Sequence, residues 1–479
     1  MRKETNEKLL KDILKFSVVP VFSAILSFIT LPIISRVFSP EDYGKINMFF
    51  TMGNMLVSIF LLGLDSAYIR FFYEPPKGTS KKQVFSFSLF IGIICNIVAT
   101  IIIFIMNPEY FSNLLFDENN LKALILLSIY SMTLIIFRLL NITYRMEQNA
   151  KEYNIQNILQ IIITRIMYVV IALYSTYYYY SILAITVGMI ILCVFYIYKQ
   201  RYLFNKVKPV KISVAYELLA FSIPIMPTTL VIWLNNSIGK LMLSGFGRYD
   251  EIGALAMTTT LANIFAIIPT GFAIYWSSFM YENYNTKKEL IKKVHNYIVI
   301  FSIVIILGSI LMQDMIFLFI GKEYRGSQLF FTLIMLNPIQ ALLTETTSYG
   351  IAIAKKTRYN MVISIISCLV NMGISYILIP TYGGYGVAIG IAVSSIILLI
   401  LKTIVGQKLY CSIESKKKTI IGFITIIAIC IGNIYYYDMV VLRALICIIV
   451  AIIVIYVYKS EIDDIAKNFS KYKLNFRNK

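Results

Sequence analysis

One pattern limits this chain more than any other: apolar stretches of roughly 20 residues recur about fourteen times, separated by short polar connectors. A stretch of that length crosses a ~30 Å hydrocarbon core as a helix. Lipid offers no partner for an unpaired backbone group, so only helices or a closed barrel can cross it. Barrel strands alternate in polarity over segments of about ten residues, whereas runs such as Ile94–Ile105 and Ile446–Val457 do not alternate. Composition agrees: 58% of the 479 residues are apolar and 14% charged, against the quarter charged of an ordinary soluble domain. The expected fold is an all-α integral membrane protein.

The spans are placed near 14–35, 44–66, 84–106, 121–143, 154–175, 180–198, 217–243, 252–277, 295–313, 328–353, 360–379, 385–407, 419–437 and 440–458. The formal charge of +19 then has a topological reading. Of the 44 Lys and Arg, 34 fall in the N-terminal segment, alternate connectors (70–83, 144–153, 199–211, 282–293, 355–358, 402–418) and the C-terminal tail. Seven lie on the opposite side and three, Arg138, Arg165 and Lys240, inside spans. Positive charge marks the cytoplasmic side, so an even span number with both termini cytoplasmic is predicted. No basic soluble domain is present to take nucleic acid.

Several classes of chemistry lack their residues. Five of the six cysteines lie in apolar spans with no CxxC pair, and His295 is the only histidine, which argues against a metal site, a His-based nucleophile or a cofactor. No GxxxxGK[ST] loop is present for an ATPase. Phe16–Ile34 is too long for an ordinary signal h-region and reads as an uncleaved first span, preceded by Arg2, Lys3, Lys8, Lys11 and Lys15. Leu9, Leu10, Ile13 and Leu14 share one face of a short helix expected to lie on the membrane. The connectors opposite the basic ones are short, the longest being Asn107–Leu121. A membrane glycosyltransferase or polymerase generally needs a folded loop there, so transport ranks above enzyme.

A weak internal repeat divides the chain. Phe16-Ser17-Val18-Val19-Pro20 resembles Phe221-Ser222-Ile223-Pro224, and Gly63, Phe71, Tyr73 and Glu74 match Gly271, Phe279, Tyr281 and Glu282 at a constant offset of 208. Tyr153-Asn154 recurs as Tyr359-Asn360, while Asn54 and Asn263 lie within one residue of that register. Six spans separate the copies, so both halves share one orientation, as in transporters built from parallel repeats. The expected organisation is a six-helix bundle over 1–205, a second over 206–410, and two extra transmembrane helices with a tail over 411–479. Pro20 and Pro32 in span one and Pro224 and Pro227 in span seven read either as ordinary membrane-helix prolines or as gating bends.

Three motifs carry a family resemblance: Leu31-Pro32-Ile33-Ile34-Ser35-Arg36, then Ser39-Pro40-Glu41-Asp42-Tyr43-Gly44, then Gly63-Leu64-Asp65-Ser66-Ala67-Tyr68-Ile69-Arg70-Phe71. They resemble Wzx-type polysaccharide flippases of the multidrug/oligosaccharidyl-lipid/polysaccharide exporter superfamily. The resemblance covers mainly the first 75 residues in motif detail, and topology and repeat extend it over the whole chain. It implies two six-helix bundles around a cavity lined by spans one, two, seven and eight. The implied substrate is an undecaprenyl-diphosphate-linked oligosaccharide for O-antigen or capsule. The implied setting is a bacterial plasma membrane, among membrane lipids and other polysaccharide-assembly proteins. The extra helix pair resembles that of lipid II flippases, where it borders a groove for the lipid tail. A lipid II flippase and a multidrug exporter of the same fold stand as alternatives; the latter should prefer an anionic cavity.

A diphosphate that crosses a bilayer calls for cations inside it, and charges placed there are costly enough to face a cavity. Arg165 lies about eleven residues into span five, ~17 Å deep, serving a cavity or bonding backbone carbonyls. Arg138 and Lys240 lie nearer span ends and can snorkel. Arg36 and Arg70 flank spans one and two, either receiving the diphosphate through charge-assisted bonds or anchoring at the interface. Two acids, Asp65 and Glu345, either couple transport to a proton gradient or simply pair with Arg138 or Arg70. Asn54, Asn235, Asn236 and Asn263, with Thr258–Thr260, are candidate polar lining for sugar hydroxyls, or else for helix packing. The tyrosines at 177–180 and 435–437 read as an interfacial belt or as sugar-stacking rings.

Overall fold

The computed structural model describes residues 18–205, 207–464 and 467. The basic N-terminal segment, its expected surface helix and the end of the C-terminal tail lie outside them. The described residues are helical with no strand. Twelve helices are long and apolar enough to cross a membrane, and two bent pairs bring the number to fourteen. Each predicted span has its helix, so the all-α membrane fold stands.

The bent pairs are spans two and seven. Span two runs Pro40–Phe60, breaks, and resumes as Leu64–Arg70 at 59°. Gly63 makes the break: its φ is +75°, and a Cβ there would sit 2.5 Å from the Ser222 carbonyl oxygen. Only glycine meets both demands cheaply. Span seven runs Ile212–Ser222, then Met226–Gly245 at 41°, with Pro224 in the break and Pro227 in the first turn of the second piece. Proline cannot donate to the preceding turn, which accounts for the interruption. Span one, Val18–Val37, stays one helix through Pro32. Gly271, the repeat partner of Gly63, is helical within Ile267–Asn283.

Two compact units emerge. Unit 1 comprises residues up to Thr260 with Gly321–Tyr324 and Ser375–Gly386; unit 2 comprises Leu261–Ile320, Arg325–Ile374 and Val387 onward. In unit 1, span four (Leu121–Met146) is the most enclosed element and packs against spans two, three (Lys81–Met106) and six (Tyr178–Lys199). At the end opposite the basic connectors, spans two and eight touch backbone to backbone. A Cβ on Gly253 would lie 1.9 Å from the Pro40 carbonyl oxygen, and one on Gly44 would lie 2.0 Å from that of Tyr249. Around this crossing Gly321 N–H donates to Ser35 Oγ at 2.8 Å, Tyr324 donates to the Ser39 carbonyl at 2.9 Å, and Gly384 N–H donates to Glu251 at 2.6 Å. That end of unit 1 is sealed by backbone contacts and short polar bonds.

In unit 2, span nine (Lys288–Leu318) is the hub, packed against span ten (Gln328–Thr347) and span thirteen (Lys416–Tyr435). His295 is fully buried and bonds Thr346 at 2.8 Å and Thr419 at 3.0 Å, joining spans nine, ten and thirteen. Further along, Gln313, Asn433 and Thr332 join the same three spans. Arg443 of span fourteen (Val440–Val457), one of the seven charges counted on the side opposite the basic connectors, is buried and donates to Asp314 of span nine. The two extra spans are therefore locked to span nine by interior polar bonds.

Candidate functional site

Span five begins as an α-helix at Ala150–Ile162, passes through a π turn at Ile163–Met167 and resumes at Tyr168–Ala172. Arg165 is the middle residue of the π turn. A π turn inserts one extra residue into the helical ladder and is found often at functional sites. The Arg165 side chain is half-buried, lies against the Tyr168 hydroxyl, and its charge reaches Lys240 of span seven. Lys240 is also half-buried, and Asn236, one turn before it, is exposed on the same face. Among the described residues no carboxylate forms an ion pair with Arg165 or Lys240. Two like charges set together inside the span region, with no counter-ion, raise each other's cost. Span one packs along span five, with the Phe38 ring 5.8 Å from Tyr168, and ends in the exposed Arg36.

The other candidates are arranged differently. Asp65 and Arg138 form an ion pair at 2.5 Å, with the Asp65 side chain 14% and the Arg138 side chain 45% exposed. Arg70 pairs with Glu74 at 3.3 Å and is exposed. Asn54 donates to the Phe50 carbonyl of its own helix at 2.8 Å, and Asn235 is half-buried. Tyr177 and Tyr178 donate to Glu118, while Tyr435 is exposed.

Unit 2 holds a separate cavity of about 600 Å³ with mixed polar and apolar lining. Its lining includes Asn263, Thr270 and Ser277 from span eight, and Asn337 and Glu345 from span ten. Small side chains, Ala266, Ala273 and Ala341, leave the space open. Glu345 is half-buried, and the charge it senses is Lys402 of span twelve (Gly384–Leu409), with no contact ion pair between them. Neither Lys402 nor Asn337 is singled out by the sequence. Charge patterning groups Lys402 with the basic connector, yet the helix continues seven residues beyond it, to Leu409. Apolar Ile400, Leu401, Ile404 and Val405 around it are the signal that it belongs to the span. Beside this cavity, spans ten, twelve and thirteen enclose an apolar groove of about 210 Å³, walled by Leu336, Leu343, Leu399, Phe423 and Ile427.

Residues 9–281 match the family described as polysaccharide biosynthesis protein, more than half of the chain. The chain belongs to this family. No curated protein matches it in sequence. Among solved structures it is similar to "Lipid II flippase MurJ, inward closed conformation", with a TM-score of 0.67 and 18% identity over 93% of this chain and 99% of that one. It is also similar to an inward-facing multidrug resistance MATE family transporter of the MOP superfamily, at TM-score 0.55 and 16% identity over 83% of this chain and 97% of that one. At these identities the likeness concerns the fold. Family and fold together support a membrane flippase or transporter within polysaccharide biosynthesis.

Proposed function

We propose that this chain moves an undecaprenyl-diphosphate-linked oligosaccharide across the bacterial plasma membrane by alternating access, without covalent chemistry. The observation that carries the reading is the Arg165–Lys240 pair: two cations in the span region that lack a carboxylate ion pair among the described residues. A diphosphate supplies the missing countercharge, and bonds to a guanidinium are the stronger, geometrically defined kind. Arg36, exposed at the end of the neighbouring span, is assigned to the mouth of the path. The apolar groove beside spans twelve and thirteen would hold a few isoprene units of a polyprenyl tail, which would enter laterally while the charged head crosses among the helices. Residues 1–205 and 206–410 act as the two alternating bundles, and 411–479 as the lipid-facing addition, with both termini cytoplasmic. Other polysaccharide-assembly proteins would deliver and receive the substrate.

The MurJ-like fold keeps lipid II as the second reading. A drug-exporting role fits less well, because an organic cation would be repelled by Arg165 and Lys240. The test is reconstitution in vesicles with a fluorescent polyprenyl-diphosphate disaccharide, scored by leaflet accessibility, with inorganic pyrophosphate binding measured alongside. Each charge-assisted bond contributes about 1.5–3 kcal/mol, so Arg165→Gln and Lys240→Gln should each lower both readouts roughly 10- to 100-fold. Wild-type rates and pyrophosphate affinity in both variants would overturn the assignment. Lipid II transported in preference to other diphosphate-linked glycans would select the second reading.

A further inference from the structure

The unit 2 cavity has a chemistry unlike that of the cation pair. Along span eight its liners fall at Asn263, Ala266, Thr270, Ala273 and Ser277, steps of three and four residues that keep them on one helical face. Asn337, Ala341 and Glu345 do the same for span ten. Asn263 and Asn337 are exposed, and among the described residues their side-chain amides make no hydrogen bond. An amide offers both a donor edge and an acceptor edge, and a carboxylate accepts several bonds at once. This mixture, interleaved with small apolar residues, matches a pyranose ring, whose hydroxyls donate and accept around C–H faces. Among the described residues the one charged liner is an acid, and no Lys or Arg lines the cavity.

We propose that this cavity is the subsite for the sugar portion of the substrate, and that Glu345 makes it selective for neutral or amino-bearing glycans over acidic ones. The proposal rests on the flippase reading and adds the substrate's charge class to it. A uronate carboxylate placed in the cavity would face Glu345 across a partly desolvated space, where like charges repel strongly. A hydroxyl or an ammonium group would instead donate to it. Lys402 lies outside the lining and within electrostatic reach of Glu345, so it steadies the carboxylate without presenting a cation to the sugar. Neutralising the acid should therefore invert the field in the cavity. In Glu345→Gln the amide still hydrogen-bonds, but Lys402 is left unbalanced and the cavity turns electropositive.

The test uses the full chain in vesicles and two polyprenyl-diphosphate disaccharides, alike except that one carries a hexose where the other carries the matching hexuronate. The wild type should transport the neutral substrate at least tenfold faster in competition. Glu345→Gln should abolish or reverse that preference, Glu345→Asp should keep it, and Glu345→Gln combined with Lys402→Gln should fall between. Pyrophosphate binding should stay at the wild-type level throughout, which separates this test from that of the cation pair. A wild type with no preference overturns the proposal, and needs no variant to fold. So does a preference that persists in Glu345→Gln, or a variant that alters only the dependence on sodium or proton gradients, which would mark an ion site instead.

Discussion

Glu118 holds the turn at 117–120, between the short helix Pro108–Phe116 and span four. Its carboxylate accepts from Tyr177 at 2.7 Å, from Tyr178 and from the Asn120 amide at 3.1 Å, tying the 117–120 turn to the start of span six. Burial pushes its pKa up, but the bonds from Tyr178, Tyr177 and Asn120, with the Lys45 charge, outweigh it and hold the carboxyl below the usual carboxylate range. A depressed folded-state pKa means stability that is present above the unfolded value and lost as pH falls through the folded one. Replacing Glu118 with Gln should therefore cost about 1–2 kcal/mol at neutral pH, and the gap should close below about pH 4. Thermal unfolding of both proteins in detergent across that range checks it; a gap independent of pH sinks the explanation. Of the tyrosines read as belt or stacking rings, Tyr178 is buried and bonded in this cluster. Spacing cannot reveal that, because Glu118 meets Tyr178 sixty residues away.

At the scale of the element, span five departs most from what hydropathy can show. Its mean hydropathy is high enough despite Gln156, Gln160 and Arg165 that a window average registers one helix, while the ladder contains the π turn at Ile163–Met167. One extra residue rotates everything beyond it by about 100° relative to an unbroken α-helix. The turn therefore sets where Arg165 points relative to the rest of the span. Deleting Thr164 should restore the α-helical ladder and leave the protein at least as stable, since π geometry is the less favourable one. It should nonetheless reduce pyrophosphate binding about as far as Arg165→Gln does. Retained binding in a well-folded deletion would show that the turn does not orient the cation. Span seven's break is more legible, since Pro224 and Pro227 announce it. The break in span two is not, because Gly63 acts through a φ of +75° and the nearness of Ser222, and neither is a property of local sequence.

For the molecule as a whole, the count of spans is readable because lipid imposes one length on each of them, whereas pairing between charges depends on helix packing. The sequence offers both Arg138 and Arg70 as partners for Asp65, and only the fold selects Arg138, 73 residues away. Under the proposed function, that pair would be the coupling site. Arg138 is the more open member, at 45% side-chain exposure against 14%, so an arriving diphosphate can compete for its guanidinium. On the function proposed above, the diphosphate would displace Asp65 from Arg138, and one proton would accompany each cycle until the ion pair re-forms. If one proton moves per cycle, a gradient of one pH unit is worth about 1.4 kcal/mol, or tenfold in the distribution of substrate between leaflets. Asp65→Asn removes the proton site while keeping a hydrogen-bond acceptor for Arg138. In vesicles it should equilibrate substrate between leaflets without responding to an imposed pH gradient, whereas the wild type should shift its end point by up to tenfold per unit. An Asp65→Asn variant that still follows the gradient would move the coupling site elsewhere. A wild type indifferent to pH would leave Asp65 and Arg138 as a packing pair that anchors the bent end of span two to span four.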